Sequence, residues 1–165
     1  MIETYIESLQ RESDRGCTSI GVELISDALQ KKIERMMQGN KKLKEELFNG
    51  LGPLSTFSAK IKLSYCFNVI SDSMYKELNC LRSIRNIAAH SIEDFSFDHE
   101  NVKKNLSAMC LLEKTLTSLD SGVISQSMEN ESIKELMLAA NRNGLFIGRV
   151  KYNYTVAVLY GMLEQ

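Results

Sequence analysis

The chain has 165 residues, enough for one domain with a sizeable core. Apolar residues make up 44% and charged residues 25%, and 20 basic against 21 acidic side chains leave a net charge of -1. That balance removes any global electrostatic case for nucleic-acid binding, which would need a local basic patch.

No apolar run is long enough to span a membrane, and the polar start Met1-Ile2-Glu3-Thr4 carries no secretory signal, so a cytoplasmic protein without a membrane partner is expected. Cys17, Cys66, Cys80 and Cys110 contain no C-x-x-C pair, and two histidines are too few to complete a zinc set. The expectation is no metal, no cofactor and four small buried thiols. Pro53 is the single proline, and no period-two alternation is sustained, so the chain can be almost entirely helical.

In chain order, residues 2–12 read as a first helical segment, with Ile2, Tyr5, Ile6 and Leu9 on one side. Within Glu12-Ser13-Asp14-Arg15-Gly16, Ser13 or Asp14 can cap a new helix, or one long helix can run through with a kink at Gly16. Cys17 to Met37 is strongly periodic, and Gly16 and Gly21 suggest close approach of another backbone. After Gly39-Asn40, residues 41–49 form a short helix with the clearest basic cluster, Lys41, Lys42 and Lys44, most simply a solvated face.

Residues 50–55 read as a loop, and a helix begins near Thr56 or Ser58 and runs to about Val69. Ser71 or Asp72 caps the next helix, which ends near His90, and 93–98 is a turn. One helix is expected from about His99 to Leu119, then a polar connection over 120–130, a helix from Ser132 to Asn141 broken at Gly144, and a last helix from about Phe146 to Leu163. The sum is an all-α, single-domain bundle of about six to seven helices over 1–165.

The stretch with chemical potential is Leu81-Arg82-Ser83-Ile84-Arg85-Asn86-Ile87-Ala88-Ala89-His90. At about 100° per residue, Arg85 points with Met74, Leu78, Leu81 and Ala88, inside an apolar stripe. A buried guanidinium needs a hydrogen-bonded partner. Either Arg85 is structural, held by a carboxylate with His90 near the helix end, or Arg85 and His90 act together on phosphate. Arg85 and His90 point about 140° apart, so joint action needs the helix to end or tighten near Ala89, or a second protomer. No G-x-S-x-G, G-x-x-x-x-G-K-[ST] or G-x-G-x-x-G occurs, which leaves protease, kinase and dinucleotide chemistry unsupported.

Leu51-Gly52-Pro53-Leu54-Ser55-Thr56-Phe57-Ser58-Ala59-Lys60-Ile61-Lys62-Leu63-Ser64-Tyr65, with Val69-Ile70-Ser71, Tyr75, Leu78 and Ile84-Arg85-Asn86, resembles the mannitol-operon repressor (MltR-like) family. Glu12-Ser13-Asp14-Arg15-Gly16 recurs in proteins of that name. The resemblance covers about residues 9–115 and, more loosely, the last helix. It implies an all-helical bacterial cytoplasmic protein and does not imply a DNA-reading helix.

Arg85, four residues and His90, with Asn86 beside the arginine, is also similar to the R-x(4–6)-H signature of HEPN domains. Many of these are metal-independent ribonucleases whose arginine and histidine meet across a dimer cleft, assisted by an acidic residue from an early helix. Carried over, the resemblance implies a homodimeric endoribonuclease of toxin or defence type. Arg85 would hold the scissile phosphate, His90 would move the proton, and Asn86 would orient a neighbour. Glu12 or Asp14, in the segment with Arg15, would pair with a buried Arg85. RNA, a protein partner or an antitoxin are the implied partners. HEPN toxins paired with nucleotidyltransferase antitoxins usually carry tyrosine two places after the histidine; Ile92 stands there, so the likeness does not extend to that partner. The alternative is a non-catalytic transcriptional regulator or protein-interaction module of the mannitol-operon repressor type.

Overall fold

The computed structural model describes Leu9 and residues 11–92, 94–120 and 147–164. Among these residues there are seven α-helices and no strand: α1 Asp14–Met36, α2 Lys41–Phe48, α3 Phe57–Cys66, α4 Asp72–His90, α5 Glu100–Ala108, α6 Leu111–Asp120 and α7 Gly148–Glu164. The all-α bundle expected from the sequence is therefore observed. Most of the expected first helix (2–12), the polar connection after Asp120, the Ser132–Asn141 helix and the Gly144 break lie outside the described residues.

Four helices start on side-chain caps of one kind. Ser13, Asn40, Thr56 and Ser71 accept from the backbone N–H groups of Gly16, Leu43, Ala59 and Met74, each three residues on. Each cap satisfies one of the donors that a helix leaves open at its start. Ser13, not Asp14, is thus the cap of α1, which contains Gly16 in its first turn, and residues 11–13 are not helical, so one long helix does not run through from Leu9. The space a Cβ would need at Gly16 is taken by the Glu12 carboxylate, 2.6 Å away, rather than by another backbone.

α1 is the central element and packs on α7, α4 and α3, while α4 also holds α5 and α6. Cys17, Ile25 and Leu29 of α1 join Ile61, Leu78, Leu81, Ile84, Leu112, Tyr152, Val156 and Leu159 in one buried cluster. α3 is shorter than its apolar pattern suggested. Asn68 adopts φ +55°, its N–H reaches Tyr65 O at 3.0 Å, and the N–H of Val69 reaches Ser64 O at 2.8 Å. This left-handed closure stops the helix at Cys66 although apolar residues continue to Val69.

The helix expected from His99 to Leu119 is two helices, broken at Met109–Cys110. The cause lies on α4. Glu77, 2% exposed, accepts the N–H groups of Cys110 and Leu111 through one oxygen, at 2.7 and 2.8 Å. A carboxylate in that position caps the start of a new helix and meets its positive dipole end.

Lys60 is 5% exposed, and its Nζ donates to Ser26 Oγ at 2.9 Å. Burial pulls its pKa below the usual lysine range, against the opposing charges of Asp27, Glu23 and Glu34. With the folded pKa depressed below the unfolded one, stability from this group is present above the unfolded value near 10.5 and lost as pH falls through the folded value. Lys60→Met keeps the length without the charge. It is expected to leave stability at neutral pH unchanged or raise it by about 1–2 kcal/mol, and to abolish the gain toward alkaline pH. Urea unfolding along an alkaline pH series checks both; an equal alkaline gain in the two proteins would refute the assignment.

The thiols divide differently from expectation. Cys17 is buried, Cys80 is half-buried, and Cys66 and Cys110 are exposed. Cys66 sits in the last turn of α3, and Cys110 sits at the helix break.

Candidate functional site at the end of α4

Arg85, Asn86 and His90 all lie in the last turns of α4, which runs through His90 without tightening and is closed by Ser91. Arg85 and His90 are exposed and Asn86 is half-buried. The burial of Arg85 expected from its stripe is not observed, and among the described residues neither Glu12 nor Asp14 pairs with it. At about 100° per residue, the residues of α4 that are buried, Glu77, Leu78, Leu81, Ile84 and Ala88, form one arc, and Arg85 falls toward its edge. The charge that does occupy the middle of the α4 stripe is Glu77, flanked by the buried Leu78, Leu81 and Ile84.

The acidic residues proposed for Arg85 serve another cation. Asp14 Oδ1 lies 3.1 Å from Nη1 of Arg149, and its Oδ2 accepts the N–H of Phe97 at 3.3 Å. Nη2 of Arg149 donates to the carbonyls of Glu12, at 2.7 Å, and Leu9. Gly148, at φ +49°, lets the chain turn into α7 beside Phe97, where a Cβ would stand 3.7 Å from that side chain. Arg15 donates to the carbonyl of Ser91 at 3.0 Å, which places a cation on the C-terminal dipole of α4. Glu12-Ser13-Asp14-Arg15-Gly16 therefore joins three things: the turn after Leu9, the end of α4 with its following loop, and the start of α7. His90 borders this junction; Arg85 is not part of it.

Within one chain the continuous helix keeps Arg85 and His90 on different sides, so the arrangement supplies no joint acid–base and phosphate-binding site by itself. Among the described residues, no group of three or more His, Cys, Asp or Glu side chains is placed to hold a metal ion. No helix among them is long and apolar enough to cross a membrane.

The family model described as MtlR, mannitol repressor, matches residues 4–150. The chain belongs to the MtlR mannitol repressor family. The matched span includes every residue of the junction and both residues of the Arg85–His90 motif. A solved structure titled as the X-ray structure of the MtlR–HPr complex from Escherichia coli is similar in fold, with a TM-score of 0.67 and 16% identity, over 99% of this chain and 98% of that one. No curated protein matches the chain in sequence.

Two positions that hold the fold of this MtlR-family chain together were not anticipated from its sequence. Arg149 follows a glycine, and its three acceptors lie about 135–140 residues away. Glu77 had a legible signal, since it falls inside the same apolar stripe that drew attention to Arg85.

Proposed function

We propose that the chain is a non-catalytic regulator of the mannitol repressor type that acts by binding a partner protein, and that HPr or a protein like it is that partner. The observation that carries this reading is membership of the MtlR family over residues 4–150. The likeness, end to end, to a chain solved in a complex with HPr supports the choice of partner. The ribonuclease reading draws on Arg85, Asn86 and His90 and needs a second protomer to complete the site, because one continuous helix keeps Arg85 and His90 on different sides.

Titration calorimetry with HPr from the same organism tests the proposal. Saturable binding is expected. The same preparation, incubated with single-stranded RNA and EDTA, is expected to cleave no more than His90→Ala does. Absence of binding, together with metal-independent cleavage that falls by about 10²-fold or more in His90→Ala, would replace the regulator with the ribonuclease.

A further inference from the structure

We propose that Cys80 and Cys110 form a redox pair, two thiols that a peroxide converts into a disulfide tying α4 to the start of α6. Cys110 is exposed, and its carbonyl accepts the N–H of Lys114 at 3.1 Å, so α6 begins directly from it. Its own N–H is held by Glu77 Oε1 at 2.7 Å. Cys80 is half-buried and lies three residues beyond Glu77 on α4, which puts their Cβ atoms about 5–6 Å apart on one face. The Glu77 carboxylate thus draws the backbone of Cys110 onto the turn of α4 that carries Cys80. A disulfide needs Cα atoms within about 7 Å, and this side-chain-to-backbone contact brings the two strands of chain toward that spacing. The thiols also sense each other electrostatically: burial pushes Cys80 up, with Glu77 and then Cys110 adding to the effect.

Cys110, the exposed thiol of the pair, is the one peroxide reaches first. The Cys110 thiolate attacks one peroxide oxygen, the O–O bond breaks, and water leaves, giving a sulfenic acid. The Cys80 thiolate then attacks the Cys110 sulfur; the S–S bond forms, the S–O bond breaks, and a second water leaves. Two thiols lose two protons and two electrons, and one peroxide takes them up.

The test uses the reduced full chain treated with hydrogen peroxide, alkylated, and digested without reductant for mass spectrometry. A Cys80–Cys110 linked peptide is expected, lighter than the sum of its two halves by two hydrogens. It should be lost in Cys80→Ser and in Cys110→Ser and kept in Cys66→Ser. Circular dichroism of each serine variant separates loss of the link from loss of the fold. A second readout is the melting temperature, which should rise on oxidation and return on adding dithiothreitol, because the link closes a loop of about 30 residues. Cys110 recovered as sulfinic acid or as an intermolecular disulfide, with Cys80 still alkylated, would overturn the proposal. So would oxidation confined to Cys66.

Discussion

Replacing Glu77 with alanine is expected to lower the unfolding free energy by about 2–4 kcal/mol, because one buried and one part-buried N–H group lose their acceptor, at about 1–3 kcal/mol for a buried one. Those donors belong to Cys110 and Leu111, the first residues of the α6 turn. Glu77→Gln keeps an acceptor oxygen and is expected to cost about 1 kcal/mol. The two variants also separate by pH. Burial raises the Glu77 pKa above its ordinary value of 4.5, against the lowering effect of the two N–H bonds, and its second oxygen is buried with no protein partner. With the folded pKa above the unfolded one, the native state holds more protons between the two values, so stability falls as pH rises through that window and levels off above it. Glu77→Gln is expected to lack this fall. Urea unfolding of both proteins from acid to neutral pH checks it, and identical slopes would show that Glu77 is not the cause.

Arg149→Ala is the second large effect, a loss of about 2–4 kcal/mol. Its guanidinium serves the Asp14 carboxylate and the carbonyls of Leu9 and Glu12 at once. Arg149→Lys supplies one point charge in place of a planar fork, so it should recover the attraction to Asp14 and lose the bridging of the carbonyls. A lysine variant as stable as the parent would mean that charge alone matters there. Amide exchange at Phe97, whose N–H rests on Asp14, is expected to quicken in the alanine variant while α3 is unaffected.

The helices were readable from the sequence because their periodicity and their capping residues agree; Ser71 before a stripe of Leu78, Leu81 and Ile84 leaves little choice. The break at Met109–Cys110 was not readable. Val102, Leu106, Met109, Leu112 and Leu116 keep helical spacing straight across it, and the interruption comes from a carboxylate 33 residues earlier in the chain. The site was half legible. The stripe was read as burying Arg85, which is exposed, and the charge that α4 buries is Glu77, because periodicity gives only direction around a helix. How the other helices pack on α4 decides what is covered, and that packing buries Glu77, Leu78, Leu81, Ile84 and Ala88 and leaves Arg85 exposed. The start of the last helix was placed within two residues, but the pairing of Asp14 with Arg149 spans 135 residues, and no local pattern supplies it.

The Arg149 junction also bears on the order of events during synthesis. Until Arg149 has left the ribosome, the turn after Leu9 and the start of α1 lack the cation that fastens them. Over the same interval the apolar face of α1 that receives Tyr152, Val156 and Leu159 has nothing from α7 to cover it. A nascent chain of this kind carries an open hydrophobic groove from the emergence of α1 until α7 follows, while the intervening helices are made at about 5–20 residues per second. Its demand for a holding chaperone should therefore last until α7 emerges.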